Sequence, residues 1–241
     1  MPSADLSLTE SAQSFIDRVL ALQPKLAVFD CDGTLWSGDS GSDFFYFEID
    51  RGLLSPEVTK WALARYDGYL AGTVDEITIC GEMVTIHEGI PQETIRAMVR
   101  EFFAAVVEPR IFPEMQALTR RLAAAGCELW AVSSTNNWVV EEAVTRFPIP
   151  PEHVLAATVA IDGGCASKRL LRVPSDELKA TAIQEVICRP VDAVFGNSMH
   201  DLAMLEIAVH PFAINPNPDL EKIARQRNWP VYQPQGTAVK R

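Results

Sequence analysis

No stretch of this chain approaches the roughly 18 consecutive apolar residues that a membrane-spanning helix needs. No Lys or Arg precedes Arg18, so the N-terminus lacks the basic region of an ordinary signal peptide. The five cysteines (Cys31, Cys80, Cys127, Cys165, Cys188) are odd in number, scattered and never spaced C-x-x-C. That argues against a disulfide framework or a zinc site and for reduced, mostly buried thiols. None of His87, His153, His200 or His210 is paired at metal-ligand spacing. Positive charge is also scarce: 21 Lys and Arg against 32 Asp and Glu leave a net charge of −11, which argues against nucleic acid or anionic membrane as a partner. The expectation is a soluble cytoplasmic protein.

What is present is enough apolar material for a full core, at 48% of 241 residues, with room for one domain and an insertion. Leu8–Leu22 reads as a helix, with Ser7-Leu8-Thr9-Glu10 as a capping box. Leu26–Phe29 has the length and composition of a buried strand. From Asp39 to Val107 no strand is evident, and helix punctuation repeats instead. Ser55-Pro56 and Pro91 start helices, Thr73-Val74-Asp75-Glu76 reads as a second capping box, and Gly89 as a helix terminator. After Pro113 strand and helix alternate, with strands expected at 128–132, within 154–161, at 191–195 and at 212–214. Lys168–Val173 reads as a short extended piece, a helix opens at Pro174-Ser175, and the tail after Pro234 reads as frayed. Alternation of this kind predicts a parallel sheet covered on both faces.

In such a sheet ligands bind beyond the carboxyl ends of the strands. Three segments put polar groups there: Asp30-Cys31-Asp32-Gly33-Thr34, Ser133-Ser134-Thr135-Asn136 and Gly196-Asn197-Ser198-Met199-His200-Asp201. Residues two apart can project together from a strand end, and two acids so placed suit a metal-assisted reaction in which one attacks and the other moves a proton.

The ordered set D-C-D-G-T, a strand ending at Ser133, Lys179 and G-N-S-M-H-D resembles the haloacid dehalogenase superfamily of phosphatases over nearly the whole chain. The resemblance implies a Rossmann-like parallel sheet of residues 1–37 and 109–241, with 38–108 as the helical C1 cap of the phosphoserine-phosphatase-like branch. It implies Asp30 as nucleophile, Asp32 as the acid that protonates the leaving alkoxide, and Ser133, Ser134, Lys179 and His200 around the phosphate. Lys168 is the alternative lysine, Ser133 doubles as a helix N-cap, and His200 either reaches the phosphate or faces solvent. Magnesium would be held by Asp30, Asp32, Asn197 and Asp201. Many relatives carry Asp where this chain has Asn197, a loss of one negative charge. The implied partner is a small phosphomonoester. The alternatives are a phosphotransferase and a non-catalytic phosphate-binding protein.

Asp39 falls where phosphoserine phosphatases place the acid that holds the substrate ammonium, and Met83 where they place an Arg for its carboxylate. Arg65 and Arg96 are the substitutes in reach. Phe44 to Phe47, with Trp36 and Trp61, form either an aromatic cage for a cation or the packed face of a helix. The lean is toward amino-alcohol phosphates such as phosphoethanolamine, phosphocholine or histidinol phosphate.

Overall fold

The computed structural model describes residues 8–235. Ser7 and the tail beyond residue 235 lie outside the described residues. In chain order the elements are α1 (Glu10–Ala21), β1 (Leu26–Phe29), α2 (Ser40–Asp50), α3 (Pro56–Leu70), α4 (Glu76–Thr85) and α5 (Gln92–Phe102). They continue with α6 (Pro113–Ala124), β2 (Glu128–Asn136), α7 (Asn137–Val144), β3 (Val154–Asp162), β4 (Cys165–Arg172) and α8 (Glu177–Ile187). The last are β5 (Val191–Gly196), α9 (Leu202–Glu206), β6 (Ala208–Ile214), α10 (Pro218–Gln226) and β7 (Val231–Tyr232). Among the described residues no helix is long and apolar enough to cross a membrane.

The strands form one sheet in the order β4-β3-β2-β1-β5-β6-β7. All pairs are parallel except β3 and β4, which form an antiparallel hairpin. The sheet is the mainly parallel one expected, with a single antiparallel strand added at its edge. Gly163 and Gly164 both take positive φ, 58° and 83°, so the Asp162-Gly163-Gly164 turn returns the chain directly without a crossover helix. From β1 the chain moves outward one way through β2 and β3, and the other way through β5, β6 and β7. The order therefore reverses beside β1, and the carboxyl ends of β1 and β5 splay loops in opposite directions there.

Strand periodicity divides the core. Ala27 and Phe29 face one layer with Phe15, Met115 and Leu118, while Leu26 and Val28 face the other with Ile183, Met204 and Leu220. Phe29, Phe195 and Phe212 sit in register on three adjacent strands and stack at centroid spacings of 4.4 and 4.8 Å. The helices α2 to α5 come between β1 and α6 and carry a further cluster of their own, Phe45, Leu54, Ala62 and Ile86.

Local corrections come from caps. Thr9, not Ser7, caps α1 by accepting the Ala12 N–H, so the helix begins at Glu10. Asp75 caps α4 through the Thr78 N–H, two residues after the expected Thr73. Residues 174–176 stay non-helical because Asp176 takes φ 49°, so α8 starts at Glu177. Helix α10 and strand β7 carry no counterpart in the expected element string, although Asn217 caps α10 and Pro218 opens it.

Phe195 lies at the centre of the aromatic stack and is fully buried. Phe195→Ala is expected to cost about 3–5 kcal/mol. Urea unfolding of the variant beside the native protein measures it.

Candidate active site

The three polar segments lie at or just beyond the carboxyl ends of β1, β2 and β5, and the helices α2 to α4 close over them. Between lies a cavity of about 250 Å³, lined from below by Asp30, Asp32, Ser133, Ser134, Lys179 and Asn197. From above it is lined by Asp39, Glu48, Tyr66, Tyr69, Glu76 and Met83.

Asp30 follows the last residue of β1, and its backbone N–H is held by the Phe195 carbonyl at 2.9 Å. Its side chain is buried, with Oδ1 accepting from Lys179 Nζ at 2.7 Å and Oδ2 from the Thr34 hydroxyl at 3.0 Å. Burial and the neighbouring Asp201 push its carboxyl up to about 7, against the opposing pull of Lys179. Asp32 accepts from Trp36 Nε1 at 2.6 Å and the Ser40 N–H at 2.8 Å on one oxygen, and from the Thr135 hydroxyl at 2.8 Å on the other. Burial, then the charge of Asp39, raises it to about 6. One carboxylate is thus anchored to the sheet, the other to the loop and helix that overlie it.

Lys179 enters from the first turn of α8 and is buried. Nζ bridges Asp30 and Asp201, at 2.7 and 2.6 Å. Burial opposes its charge, but the two carboxylates outweigh burial and hold its pKa above the ordinary lysine value. Lys168, the alternative, is exposed and pairs with Glu88 at 2.9 Å. Asp201 is fully buried behind the loop: one oxygen takes Lys179, the other the N–H groups of Asn197 and Ser198 at 2.8 and 3.0 Å. Asn197 faces the cavity and lies across Gly33, where a Cβ would come within 1.9 Å of its amide nitrogen. Gly33 also takes φ 78°, so both the turn and the close approach require glycine.

Ser133 and Ser134 line the cavity, and the Ser133 hydroxyl accepts the Thr135 N–H at 3.2 Å. The N-cap alternative for Ser133 does not hold, because β2 runs on to Asn136 and Asn136 caps α7. His200 lies at the rim, about half exposed, with Nδ1 on the Asp176 carboxylate at 2.7 Å. Asp39 and Met83 both reach the cavity, and Asp39 also caps α2 through the Ser42 N–H.

The aromatic cage does not form from the expected residues. Trp36 is buried on Asp32, Trp61 is exposed away from the cavity, and of Phe44 to Phe47 only Phe44 and Phe45 line it. Tyr66 and Tyr69 of α3 stand there instead. Arg65 and Arg96 are tied to Glu82 and Glu141, at 2.8 and 2.7 Å, and neither lines the cavity. Thr34 and Thr135 escaped the sequence reading, although each lies inside a motif it marked. Glu76 was marked only as part of a capping box, and Glu48, Tyr66 and Tyr69 carried no such signal.

Among the described residues no group of three or more His, Cys, Asp or Glu side chains is arranged to hold a metal by itself. The donors that face the cavity floor are oxygens: the carboxylates of Asp30 and Asp32 and the carboxamide of Asn197. Burial first, and then the charge of Asp201, raise the Asp30 carboxyl, so a cation brought to it would favour its ionised form. That set fits a hard divalent cation that keeps several waters and shares a phosphate oxygen, and it offers nothing that zinc prefers.

The sequence pattern of the haloacid dehalogenase-like hydrolases matches residues 27–206, which contain every segment of this floor. The chain belongs to that family. A protein of Neisseria meningitidis named histidinol-phosphatase is 26% identical over 215 residues, 86% of this chain and 97% of its own. A solved structure of a protein of unknown function from Bordetella pertussis superposes with a TM-score of 0.74 at 24% identity, covering 86% of this chain and 97% of that one. A probable phosphoserine phosphatase from Vibrio cholerae superposes with a TM-score of 0.62 at 17% identity, over 90% of this chain and 68% of that one. At these identities the two structures speak for the shared hydrolase fold.

Lys179→Met would leave Asp30 and Asp201 facing each other without a cation. A loss of about 3–5 kcal/mol in urea unfolding is expected, part of it recovered when Asp201→Asn is added.

Proposed function

We propose that the protein is a phosphomonoesterase that hydrolyses a small-molecule phosphate ester through an aspartyl phosphate on Asp30. The observation that carries this reading is the division of labour between the two carboxylates. Asp30 is held rigidly by Lys179 and Thr34, as a nucleophile must be. Asp32 is aimed by three donors and raised to about 6, so its acid and base forms are both accessible near neutral pH. Asp30 attacks phosphorus, Asp32 gives its proton to the departing alkoxide, and the resulting carboxylate takes a proton from the water that opens the acyl phosphate. Ser133, Ser134 and Lys179 would meet the phosphoryl oxygens, with Lys179 opposing the charge that builds there. His200 at the rim would touch the phosphate from the solvent side.

Magnesium is the proposed cofactor, held by Asp30, the Asp32 backbone carbonyl and Asn197, with Asp201 fixing the loop that carries Asn197. When bound, a hard divalent cation supplies charge neutralisation at the phosphoryl oxygens. Residues 38–108 are proposed as a cap domain that closes over the ester and excludes water. The substrate reading is an amino-alcohol phosphate. Among the described residues no guanidinium lines the cavity to grip a carboxylate, Met83 and Asp39 do line it, and a relative that aligns over nearly its whole length bears the name histidinol-phosphatase.

Phosphate release from a panel of phosphomonoesters tests the reading. Release is expected with Mg²⁺, none with EDTA, and none from Asp30→Asn, whose circular dichroism should match the native protein. Near-native turnover by Asp30→Asn would refute the covalent route.

Metal affinity gives a second test. Below about pH 7 a proton on Asp30 competes with the cation, so calorimetric affinity for Mg²⁺ should rise with pH up to that point and level off above it. Asn197→Asp should tighten binding by restoring a carboxylate, and an unchanged affinity would remove Asn197 from the ligand set.

A further inference from the structure

The cap side of the cavity contains a carboxylate, Glu76, that no cationic side chain pairs with among the described residues. Glu76 is the first residue of α4, but the helix is capped by Asp75, so capping does not explain its orientation. Its Oε2 is shielded from solvent and has no hydrogen-bond partner. Its Oε1 receives the Cys80 thiol at 3.5 Å, a weak donor, and the carboxylate also meets the neutral Tyr69 hydroxyl, so both of its partners are uncharged. A buried carboxylate oxygen in that state is costly unless a ligand completes it.

The surroundings say what kind of ligand. Of the other cap-side acids, Glu48 is already matched, with His87 Nε2 at 2.6 Å from its carboxylate in a fully buried pair. Asp39 spends one oxygen on the Ser42 N–H. The nearby guanidinium of Arg65 is held by Glu82, and Lys179 is held between Asp30 and Asp201. Among the described residues that line the cavity, the remaining basic group, His200, is held by Asp176, so no cationic side chain is paired with Glu76 there. Tyr66 and Tyr69 line the same wall as Asp39 and Glu76. Burial and then the hydrogen bond to Glu76 keep the Tyr69 hydroxyl protonated. Two acids and two tyrosines on one wall can receive an ammonium or imidazolium group by charge and by ring contact.

We propose that Glu76 is the specificity residue of this site, binding the cationic group of the substrate's alcohol portion against Tyr66 and Tyr69. This rests on the phosphomonoesterase reading and assigns the substrate's second recognition point to a residue in α4. The same charge repels a substrate carboxylate, so one residue both attracts the cationic ester and rejects the zwitterion's acid group.

Glu76→Gln keeps the shape and removes the charge. Against native enzyme at saturating Mg²⁺, KM for phosphoethanolamine or histidinol phosphate should rise about tenfold to a hundredfold at nearly constant kcat. Hydrolysis of p-nitrophenyl phosphate, which has no cation, should stay within about twofold. An equal effect on both kinds of ester, or none on the cationic ones, overturns the assignment while leaving the phosphatase reading intact. Absence of turnover by the native enzyme on every ester would count against the phosphatase reading instead. Glu76 is then read by calorimetric binding of the cationic esters to Asp30→Asn, with and without Glu76→Gln. Weaker binding in the double variant supports it, and equal affinities or no binding to either refute it. Glu76 lies in the first turn of α4, so the substitution also gives up a favourable helix-end charge, and the Tm should stay within a few degrees of the native value. A loss of Tm well beyond that would make Glu76 structural and also refute the role.

Discussion

The arrangement depends on one buried ammonium. Lys179 Nζ lies between Asp30 and Asp201, and none of the three has appreciable contact with solvent. Two carboxylates this close cannot both stay ionised in a low-dielectric interior without a cation between them. The lysine is what allows the end of β1 and the loop after β5 to share one floor. It also ties α8 to both, so a helix packed on the face of the sheet becomes part of the site. Asp201 in turn holds the Asn197 and Ser198 N–H groups, which sets where the Asn197 carboxamide faces. Anchoring of this kind leaves Asp30 little freedom, which suits a group proposed to attack.

A second constraint is the meeting of the sheet with α2 to α4. Asp32 bridges them, accepting from Ser40 at the start of α2 and from Thr135 at the end of β2. Of the two acids of D-C-D, only Asp32 is hydrogen-bonded to both the sheet and α2, so it is the one whose environment spans the two layers. The inner wall of the cover is acidic and aromatic, while the floor combines carboxylates with the Lys179 ammonium.

The sequence showed the floor well. Asp30, Asp32, Ser133 and Lys179 were each legible because apolar strand, polar end and order along the chain are local or sequential properties. It resolved Lys179 from Lys168 only through context, and the structure separates them by burial. The aromatic residues went the other way. Trp36 and Phe47 were weighed for the cavity, yet Trp36 turns inward to hydrogen-bond Asp32, and Tyr66 and Tyr69 from the next helix take the wall. Sequence distance gives no measure of which face of α3 meets the opening, since that depends on how α2, α3 and α4 pack on one another.

By itself, then, the sequence determined the strand-end chemistry, the glycine at position 33 and the alternation that builds a mostly parallel sheet. Each is set within a few residues by sterics, hydrogen-bonding capacity or hydrophobic period. The tertiary structure alone decided that Lys179 would join Asp30 to Asp201, and that Glu48 would be neutralised by His87 while Glu76 pairs with no cationic side chain among the described residues. Those outcomes turn on which charges end up within about 3 Å of each other once water is excluded, and pairing across 20 to 150 residues of chain is a property of the packed fold.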